Sequence, residues 1–234
     1  ITIGNSIYPL VSIGTFGRTY EELLELFSCY PYNALWIDTA YRYENESIVA
    51  DALENSGFPL QKVIFTGKIC YSQQIGDKSV EEELLGTLRR LKIPKIDIYL
   101  IHSPRYEHYC ETWIEMKKLR DKGLINIIGV SNFDVDDLEK LYQETGEYPS
   151  INQIAYCLKD DRDLQKEALI SFCKSKNIVI QVAMPFGGPE LAKILTEEER
   201  KKILQKNCEN QVVSVLGTSS AKHMMQNLLY ILGE

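Results

Sequence analysis

Short apolar runs rich in β-branched residues alternate with amphipathic stretches along the whole chain. Eight of these runs have the length and composition of buried strands, and they cover residues 10–16, 33–38, 62–68, 96–102, 124–130, 150–154, 177–183 and 211–217. The stretches between them carry apolar residues at helical spacing. Eight strands, each followed by a helix, predict an α/β fold, a (β/α)8 TIM barrel in which residues 1–234 form a single domain.

The clearest helical pattern runs from Ser79 to Lys92. Ser79 is a predicted N-cap, because Glu82 follows at the spacing of a capping box. The predicted apolar face of this helix consists of Leu84, Leu85, Leu88 and Leu91.

Three predicted strands end on a titratable residue. These residues are Asp38, Lys68 and His102, and Tyr43 follows closely after the first of them. TIM barrels carry their reactive groups on the face formed by the carboxyl ends of the strands, so we expect the four side chains to meet there. Together they can move a proton to or from a carbonyl oxygen.

Each of the four residues has a physical role in such a proton transfer. The Lys68 ammonium should lower the pKa of Tyr43, which ordinarily lies near 10 and makes tyrosine a poor proton donor at neutral pH. Asp38 should keep Lys68 charged against desolvation, and a neutral His102 can donate a hydrogen bond to the reacting oxygen. Taken singly, each residue also has an ordinary alternative as a helix cap or a residue of the barrel rim.

Composition narrows the class of partner. The 234 residues are 44 % apolar, enough for a full core, and the net charge of −7 without a long basic run argues against nucleic acid and an anionic membrane. The six cysteines lie far apart and are predicted to be buried thiols of a reducing compartment, which favours the cytoplasm. The three histidines show no zinc-binding spacing, so we expect no metal site.

Seven motifs follow one another along the chain: DTAYRYENE, the TGK lysine, LIHSP, IGVSNF, INQ, LGTSS and QNL. In order and spacing they resemble the aldo-keto reductases over almost the whole chain. This resemblance implies NAD(P)H-dependent hydride transfer that reduces a small-molecule carbonyl substrate, an aldehyde or ketone, to an alcohol. It also implies that Tyr43 is the general acid, with the Lys68–Asp38 ion pair beside it. His102 would orient the substrate carbonyl.

The resemblance further implies a cofactor site for NADPH, with NADH as the alternative. The residues it assigns to cofactor binding are Gly14, Thr15, Ser131, Asn132, Gln153, Pro185, Phe186, Gly187, Gly217, Thr218, Ser219, Ser220, His223, Gln226 and Asn227. Ser131, Asn132 and Gln153 would hold the nicotinamide carboxamide, since their side chains offer donors and acceptors. The LGTSS turn would bind phosphate at a helix N-terminus. The simpler alternatives are that Ser131 and Asn132 only start a helix, and that LGTSS is an ordinary capped turn.

The sequence departs from the family pattern in two parts of the expected cofactor site. Ala183 and Met184 stand where relatives usually carry an aromatic residue that stacks on the nicotinamide, so this platform is either lost or supplied by Phe186. His223, beside Lys222, stands where many relatives carry an arginine for the adenosine 2′-phosphate, and a neutral imidazole binds phosphate less strongly than a bidentate guanidinium.

The substrate pocket is expected to be open. The loop after His102 is short, and the sequence lacks the family's C-terminal loop, so Arg105, Tyr106 and His108 are expected to be among the few side chains that can contact the substrate. Two other functions remain open. One is a cofactor-binding regulatory or scaffold subunit with little turnover, and the other is an unrelated sugar-phosphate barrel that uses the LGTSS turn. The pattern indicates no particular oligomeric state.

Overall fold

A closed barrel of eight parallel strands forms the centre of the molecule. The computed structural model describes residues 1–70, 79–105, 108–157 and 164–232. An antiparallel hairpin, β1 (Thr2–Ile3) and β2 (Ser6–Ile7), precedes the barrel. The barrel strands are β3 (Val11–Gly14), β4 (Leu35–Asp38), β5 (Val63–Ile69), β6 (Ile96–Ile101), β7 (Ile125–Ser131), β8 (Ile151–Ala155), β9 (Val179–Ala183) and β10 (Val213–Leu216).

Each barrel strand pairs with the next in sequence, and β10 closes the barrel against β3 with Ser214 opposite Val11. This architecture confirms the predicted fold class. All eight predicted strands are present, and none extends more than one residue beyond its predicted run. The match follows from the parallel arrangement, because strands covered on both faces are near-continuous apolar runs.

Helices follow the strands and surround the barrel. They are α1 (Tyr20–Ser28), α2 (Glu46–Ser56), α3 (Val80–Leu91), α4 (Tyr109–Asp121), α5 (Val135–Thr145), α6 (Leu164–Ser175), α7 (Gly188–Ile194), α8 (Glu197–Glu209) and α9 (Ala221–Leu232). Ser79 caps α3 in a capping box with Glu82, as predicted. The predicted apolar face is wrong at Leu85, which is exposed, because it lies one residue and about 100° around the helix from the buried Leu84.

The amino-terminal hairpin, which the strand analysis missed, packs against the barrel. Ile3 and Tyr8 form one buried cluster with the barrel residues Trp36, Ile98, Leu100, Ile127, Ile151 and Val213. Gly4 turns the hairpin with a φ of +58°, a conformation that glycine adopts without steric cost.

All six cysteines lie in the described part of the chain, and none forms a disulfide. Four are buried, whereas Cys208 is partly accessible and Cys29 is exposed, so the prediction of buried thiols is wrong for Cys29. Cys29 is exposed because it is the C-cap residue of α1. Among the described residues, no helix has both the length and the apolarity that crossing a membrane requires, and no three metal-ligating side chains lie together.

Candidate functional site

Asp38, Tyr43 and Lys68 lie together at the carboxyl ends of neighbouring strands. Lys68 Nζ is fully buried in β5 and donates to Asp38 Oδ1 at 2.5 Å, to Tyr43 Oη at 3.1 Å and to the Thr39 carbonyl at 3.1 Å. Asp38 closes β4, and Tyr43 ends a short 3-10 turn, Tyr41–Tyr43, that follows it. One ammonium group therefore contacts both the carboxylate and the phenol.

His102 completes this group immediately after β6. Its peptide N–H donates to the Ile69 carbonyl at 3.0 Å, and its ring lies edge-on to Tyr43 with 5.9 Å between the ring centroids. Its ring Nδ1 is buried and has no hydrogen-bond partner within the described residues. The structure therefore brings together the four residues that the strand ends predicted.

Hydrogen bonds to backbone carbonyls fix the loop that carries Tyr43. The peptide N–H and the hydroxyl of Thr15 both donate to the Asp38 carbonyl, at 3.0 and 3.1 Å. Asn45 Nδ2 donates to the Thr15 carbonyl at 2.7 Å, and the Tyr43 N–H donates to the Ala40 carbonyl at 3.0 Å. Thr15, assigned to the cofactor by resemblance, is fully buried and ties β3 to the end of β4.

The ion pair sets the charge of Lys68. Burial is the largest single influence and lowers the pKa of Lys68, but Asp38 and Tyr43 raise it by more in total, so the pKa lies above its ordinary value. Burial also raises the pKa of Tyr43, and Lys68 lowers it. The predicted influence of Lys68 is therefore present, but burial outweighs it and the pKa of Tyr43 is raised.

His102 is held in its neutral form. Burial is the main cause, and the positive charges of Lys68 and Arg42 add to it, which lowers the pKa of His102 from 6.5 to about 3. At neutral pH the imidazole therefore carries one ring N–H and no charge, the state that can donate a hydrogen bond to a carbonyl oxygen.

Ser131, Asn132 and Gln153 meet at the carboxyl ends of β7 and β8. Ser131 pairs with Gln153 across the two strands, and the Asn132 N–H donates to the Gln153 carbonyl at 2.8 Å. Asn132 Nδ2 donates to Ser131 Oγ at 3.0 Å and to the His102 carbonyl at 3.2 Å. The helix that follows is capped by Asp134, so the alternative that Ser131 and Asn132 only start this helix is wrong.

Gln153 also belongs to a buried hydrogen-bonded chain that sequence reasoning missed. Its Nε2 donates to Asp38 Oδ2 and to Gln181 Oε1, both at 2.7 Å. Gln181 Nε2 donates in turn to Ser12 Oγ at 3.1 Å. The sequence did contain a signal for this series of hydrogen bonds, since Ser12 and Gln181 are polar residues inside apolar strand runs.

The segment after β9 does not present an exposed aromatic ring on which a nicotinamide could stack. Ala183 ends the strand half-buried, and Met184 is exposed with a φ of +54°. Pro185 is buried, and the partly buried Phe186 packs against the apolar cluster of Cys157, Leu195 and Ile203. Gly187 is the N-cap residue of α7 with a φ of +75°.

The segment after β10 forms a turn at the start of α9. The Ser220 N–H donates to Thr218 Oγ1 at 3.2 Å, and the His223 N–H donates to Ser220 Oγ at 3.5 Å. The exposed residues here are Gly217, Ser219, Lys222 and His223. Further along α9, Gln226 Nε2 donates to Glu197 Oε1 of α8 at 2.7 Å, and Asn227 is buried. Gly14 closes β3, where an added Cβ would lie 3.0 Å from Val215 Cγ1.

A cavity of about 460 Å³ opens beside His102. It is lined by Arg42, Cys70, His102, Ser103, Pro104, Arg105, Asn132, Asp134 and Asp137. Of the three predicted substrate contacts, Arg105 lines it, Tyr106 lies outside the described residues, and His108 lies elsewhere with its Nδ1 3.0 Å from Glu111 Oε1. Sequence reasoning missed Arg42, which comes from the turn that carries Tyr43.

A family model described as "Aldo/keto reductase family" matches residues 19–232. The chain belongs to the aldo/keto reductase family. This confirms the resemblance and makes the alternative of an unrelated sugar-phosphate barrel wrong. In this aldo/keto reductase, Lys68 Nζ contacts both Asp38 and Tyr43.

Curated relatives of this aldo/keto reductase include several named reductases. It is 34 % identical over 176 residues to 9,11-endoperoxide prostaglandin H2 reductase of Trypanosoma cruzi, covering 73 % of this chain and 59 % of that one. It is 35 % identical over 152 residues to methylglyoxal reductase DkgA of Escherichia coli K12, covering 64 % of this chain and 54 % of that one. It is 33 % identical over 174 residues to glyoxal reductase of Bacillus subtilis, covering 72 % and 61 %. The chain thus spans between about half and three fifths of these relatives. The family match and these names support an oxidoreductase enzyme.

Solved structures share the barrel. An aldo/keto reductase from Brucella melitensis superposes with a TM-score of 0.83 at 26 % identity, covering 99 % of this chain and 91 % of that one. The Bombyx mori aldo-keto reductase in complex with NADP superposes with a TM-score of 0.81 at 22 % identity, covering 100 % and 90 %. At that identity the second comparison shows the fold alone.

Proposed function

We propose that this aldo/keto reductase reduces a small aldehyde or ketone to an alcohol with NADPH, and with NADH as the weaker alternative. The observation that carries the proposal is the position of Lys68 Nζ, which contacts the Asp38 carboxylate and the Tyr43 hydroxyl at once. This arrangement keeps an ammonium charged in a buried site and directs it at a phenol. It makes Tyr43 the general acid.

The proton transfer follows from this geometry. When bound, the cofactor supplies the hydride that the carbonyl carbon receives. Tyr43 donates its hydroxyl proton to the carbonyl oxygen, so that the C=O π bond is replaced by a C–H and an O–H bond. Lys68 stabilises the phenolate that remains, and the neutral His102 directs a ring N–H at the same oxygen. Water then returns a proton to Tyr43.

The residues at the barrel mouth fit a nicotinamide carboxamide. The hydrogen bonds among the described residues engage the amide nitrogens of Asn132 and Gln153. Asn132 Oδ1, Gln153 Oε1 and the Ser131 hydroxyl proton are left for a ligand. Two acceptors and one donor match the NH₂ and C=O groups of a carboxamide.

The turn after β10 fits the phosphate end of the cofactor. Gly217 and Ser219 are exposed, and an added Cβ at Gly217 would meet nothing within 4 Å, so phosphate oxygens can approach the backbone. The N-terminus of the twelve-residue helix α9 adds backbone N–H groups and a favourable dipole. Lys222 and His223 lie exposed on its first turn, where they can reach a ribose phosphate.

Small carbonyl compounds such as glyoxals are the proposed substrates. Two of the named relatives are methylglyoxal and glyoxal reductases. The cavity of about 460 Å³ beside His102 lies in the range of small-molecule sites. We also propose a cytoplasmic location, since six cysteines without a disulfide are typical of a reducing compartment, and cell fractionation would test it.

Replacing Tyr43 with phenylalanine tests the proposed proton donor. We expect Tyr43→Phe to lower kcat at least about 100-fold, because the ring is kept and only the donor is lost. NADPH affinity, measured by fluorescence titration, should stay within about twofold. Tyr41→Phe is the matched control, because Tyr41 lies in the same turn but packs under the Arg90 guanidinium. A Tyr43→Phe enzyme that keeps kcat within about threefold of wild type would contradict the assignment.

A cofactor-binding subunit with little turnover is the second candidate. The observation that favours it is Ala183, since the small side chain and the engaged ring of Phe186 leave a weak platform for nicotinamide stacking. Tight NADPH binding without turnover of any aldehyde, ketone or dicarbonyl in a panel would support this candidate. Reduction of a glyoxal with a kcat of about 1 s⁻¹ or more, which is ordinary for an enzyme, would reject it.

A further inference from the structure

A chain of four buried side chains crosses the barrel interior. It starts at Ser12 in β3, continues through Gln181 in β9 and Gln153 in β8, and ends on Asp38 in β4. None of the four residues is more than 3 % exposed. These hydrogen bonds therefore link β3, β9 and β8 to the ion pair beside Tyr43.

The charge of Asp38 fixes the direction of both amides. As the partner of the Lys68 ammonium, the Asp38 carboxylate can only accept hydrogen bonds, so Gln153 must turn its NH₂ group toward Asp38 Oδ2. The second N–H of this group then meets Gln181 Oε1, which turns the Gln181 NH₂ toward Ser12 Oγ. A reversed Gln153 amide would place two oxygens in contact with no proton between them.

We propose that Gln181, held by Ser12, is a positioning residue that fixes the amide of Gln153, so that Gln153 steadies Asp38 and offers a bound cofactor only its Oε1. Both N–H groups of Gln153 are engaged, at 2.7 Å each. A nicotinamide carboxamide must therefore donate its NH₂ to Gln153. This last consequence rests on the proposed function, whereas the fixed amide does not.

The side-chain amide signals of Gln153 in ¹⁵N-labelled protein test the fixed amide without any turnover. The Gln153→Leu variant identifies the signals by their disappearance. In wild type, both protons should exchange with solvent at least about tenfold more slowly than those of Gln61, which is exposed on a surface turn. In Gln181→Met, one of the two protons should move upfield and exchange faster, because its acceptor is gone.

Two further variants separate positioning from simple destabilisation. Gln181→Glu keeps an acceptor oxygen at the same length and should restore the protected Gln153 signal. Asn207→Leu removes another buried hydrogen bond to a serine, Nδ2 to Ser214 Oγ at 3.0 Å, and should leave the Gln153 signals unchanged. If Gln181→Met does not fold, Ser12→Ala gives the same test, since loss of the Ser12 acceptor should loosen Gln181 and speed exchange at Gln153.

Cofactor binding gives the second readout. Gln181→Met should weaken NADPH binding about five- to tenfold while KM for the carbonyl substrate stays within about twofold, because in the proposed function Gln153 contacts the cofactor, whereas the carbonyl contacts Tyr43 and His102. Gln153 signals that are identical in wild type and Gln181→Met would overturn the proposal. Failure of the wild type to reduce any carbonyl would instead contradict the proposed function and leave the amide result standing.

Discussion

Asp38→Asn should be strongly destabilising, because it leaves Lys68 buried beside a neutral amide. In the wild type, the Lys68 and Asp38 side chains are 0 % and 3 % exposed, so water cannot replace the lost carboxylate. Asparagine has nearly the same shape, but its Nδ2 would face a donor, since both Lys68 and Gln153 donate to Asp38. Removing one partner of a fully buried pair costs about 3–5 kcal/mol, or roughly 6–20 °C in Tm for a chain of this size.

The loss of stability in Asp38→Asn should depend on pH in a defined direction. In the wild type, the pKa of Lys68 is raised above 10.5, so its contribution to stability is complete below that pH and is lost only as pH rises through the raised value. In Asp38→Asn, burial is no longer offset by Asp38, and the pKa of Lys68 should fall below 10.5. The folded variant then binds fewer protons than the unfolded chain, so its stability should rise with pH. The gap to wild type should therefore narrow between about pH 6 and pH 9.

Urea denaturation of both proteins across this pH range measures the effect. Glu81→Gln is the control, because Glu81 pairs with Lys122 at 2.9 Å on the surface, and it should cost less than about 1 kcal/mol at every pH. Adding Lys68→Met to Asp38→Asn should recover part of the lost stability, since no buried charge remains. An Asp38→Asn loss below about 1 kcal/mol, or a loss that is constant with pH, would refute the reasoning.

Three further changes have defined outcomes. His223→Arg should tighten NADPH about tenfold and leave NADH unchanged in fluorescence titrations, because a guanidinium binds a 2′-phosphate bidentately. The lowered pKa of His102, about 3, means that the folded state resists protonation, so stability should fall as pH drops below about 6.5, and His102→Gln should lessen this fall in acid titrations followed by circular dichroism. Gly187→Ala should cost more in urea denaturation than Gly57→Ala, because both have positive φ but only at Gly187 would the new Cβ lie 2.3 Å from Leu191 Cδ2.

A specific result would contradict each of these three expected outcomes. An equal rise in affinity for NADH and NADPH in His223→Arg would place this position away from the 2′-phosphate. An acid transition unchanged by His102→Gln would mean that His102 is not held neutral by its surroundings. An equal loss of unfolding free energy in Gly187→Ala and Gly57→Ala would show that the Leu191 side chain moves aside without cost.

The strands and the meeting of Asp38, Tyr43, Lys68 and His102 were predictable because both depend on local sequence. Parallel barrel strands are apolar on both faces, so eight short runs stood out, and the residue at the end of each run lies at the carboxyl face of the barrel. The Ser79 cap was likewise a local signal. The hairpin was missed although Gly4 and Asn5, the two residues between its strands, form a recognised turn pair.

Contacts inside the barrel were not predictable from the same patterns. Gln153 was assigned to a ligand, but its partner Asp38 comes from a strand on another side of the barrel. Which inward-pointing side chains meet depends on strand register and tilt, which no local pattern encodes. The direction in which the pKa of Tyr43 is shifted could not be predicted either, because the burial of Tyr43 is a property of the assembled fold.

The buried chain from Ser12 to Asp38 also orders events during folding. The four residues proposed to act in proton transfer lie between positions 38 and 102, whereas Gln153 and Gln181 come from β8 and β9. The Gln153–Asp38 hydrogen bond joins residues 115 positions apart, and the Gln181–Ser12 bond joins residues 169 apart. Contacts so distant along the chain form late, because closing long loops costs entropy before the contacts repay it. We therefore expect a half-formed barrel to bring Asp38, Tyr43, Lys68 and His102 near one another before they are aligned, and the site to acquire its final geometry when the last strands close the ring.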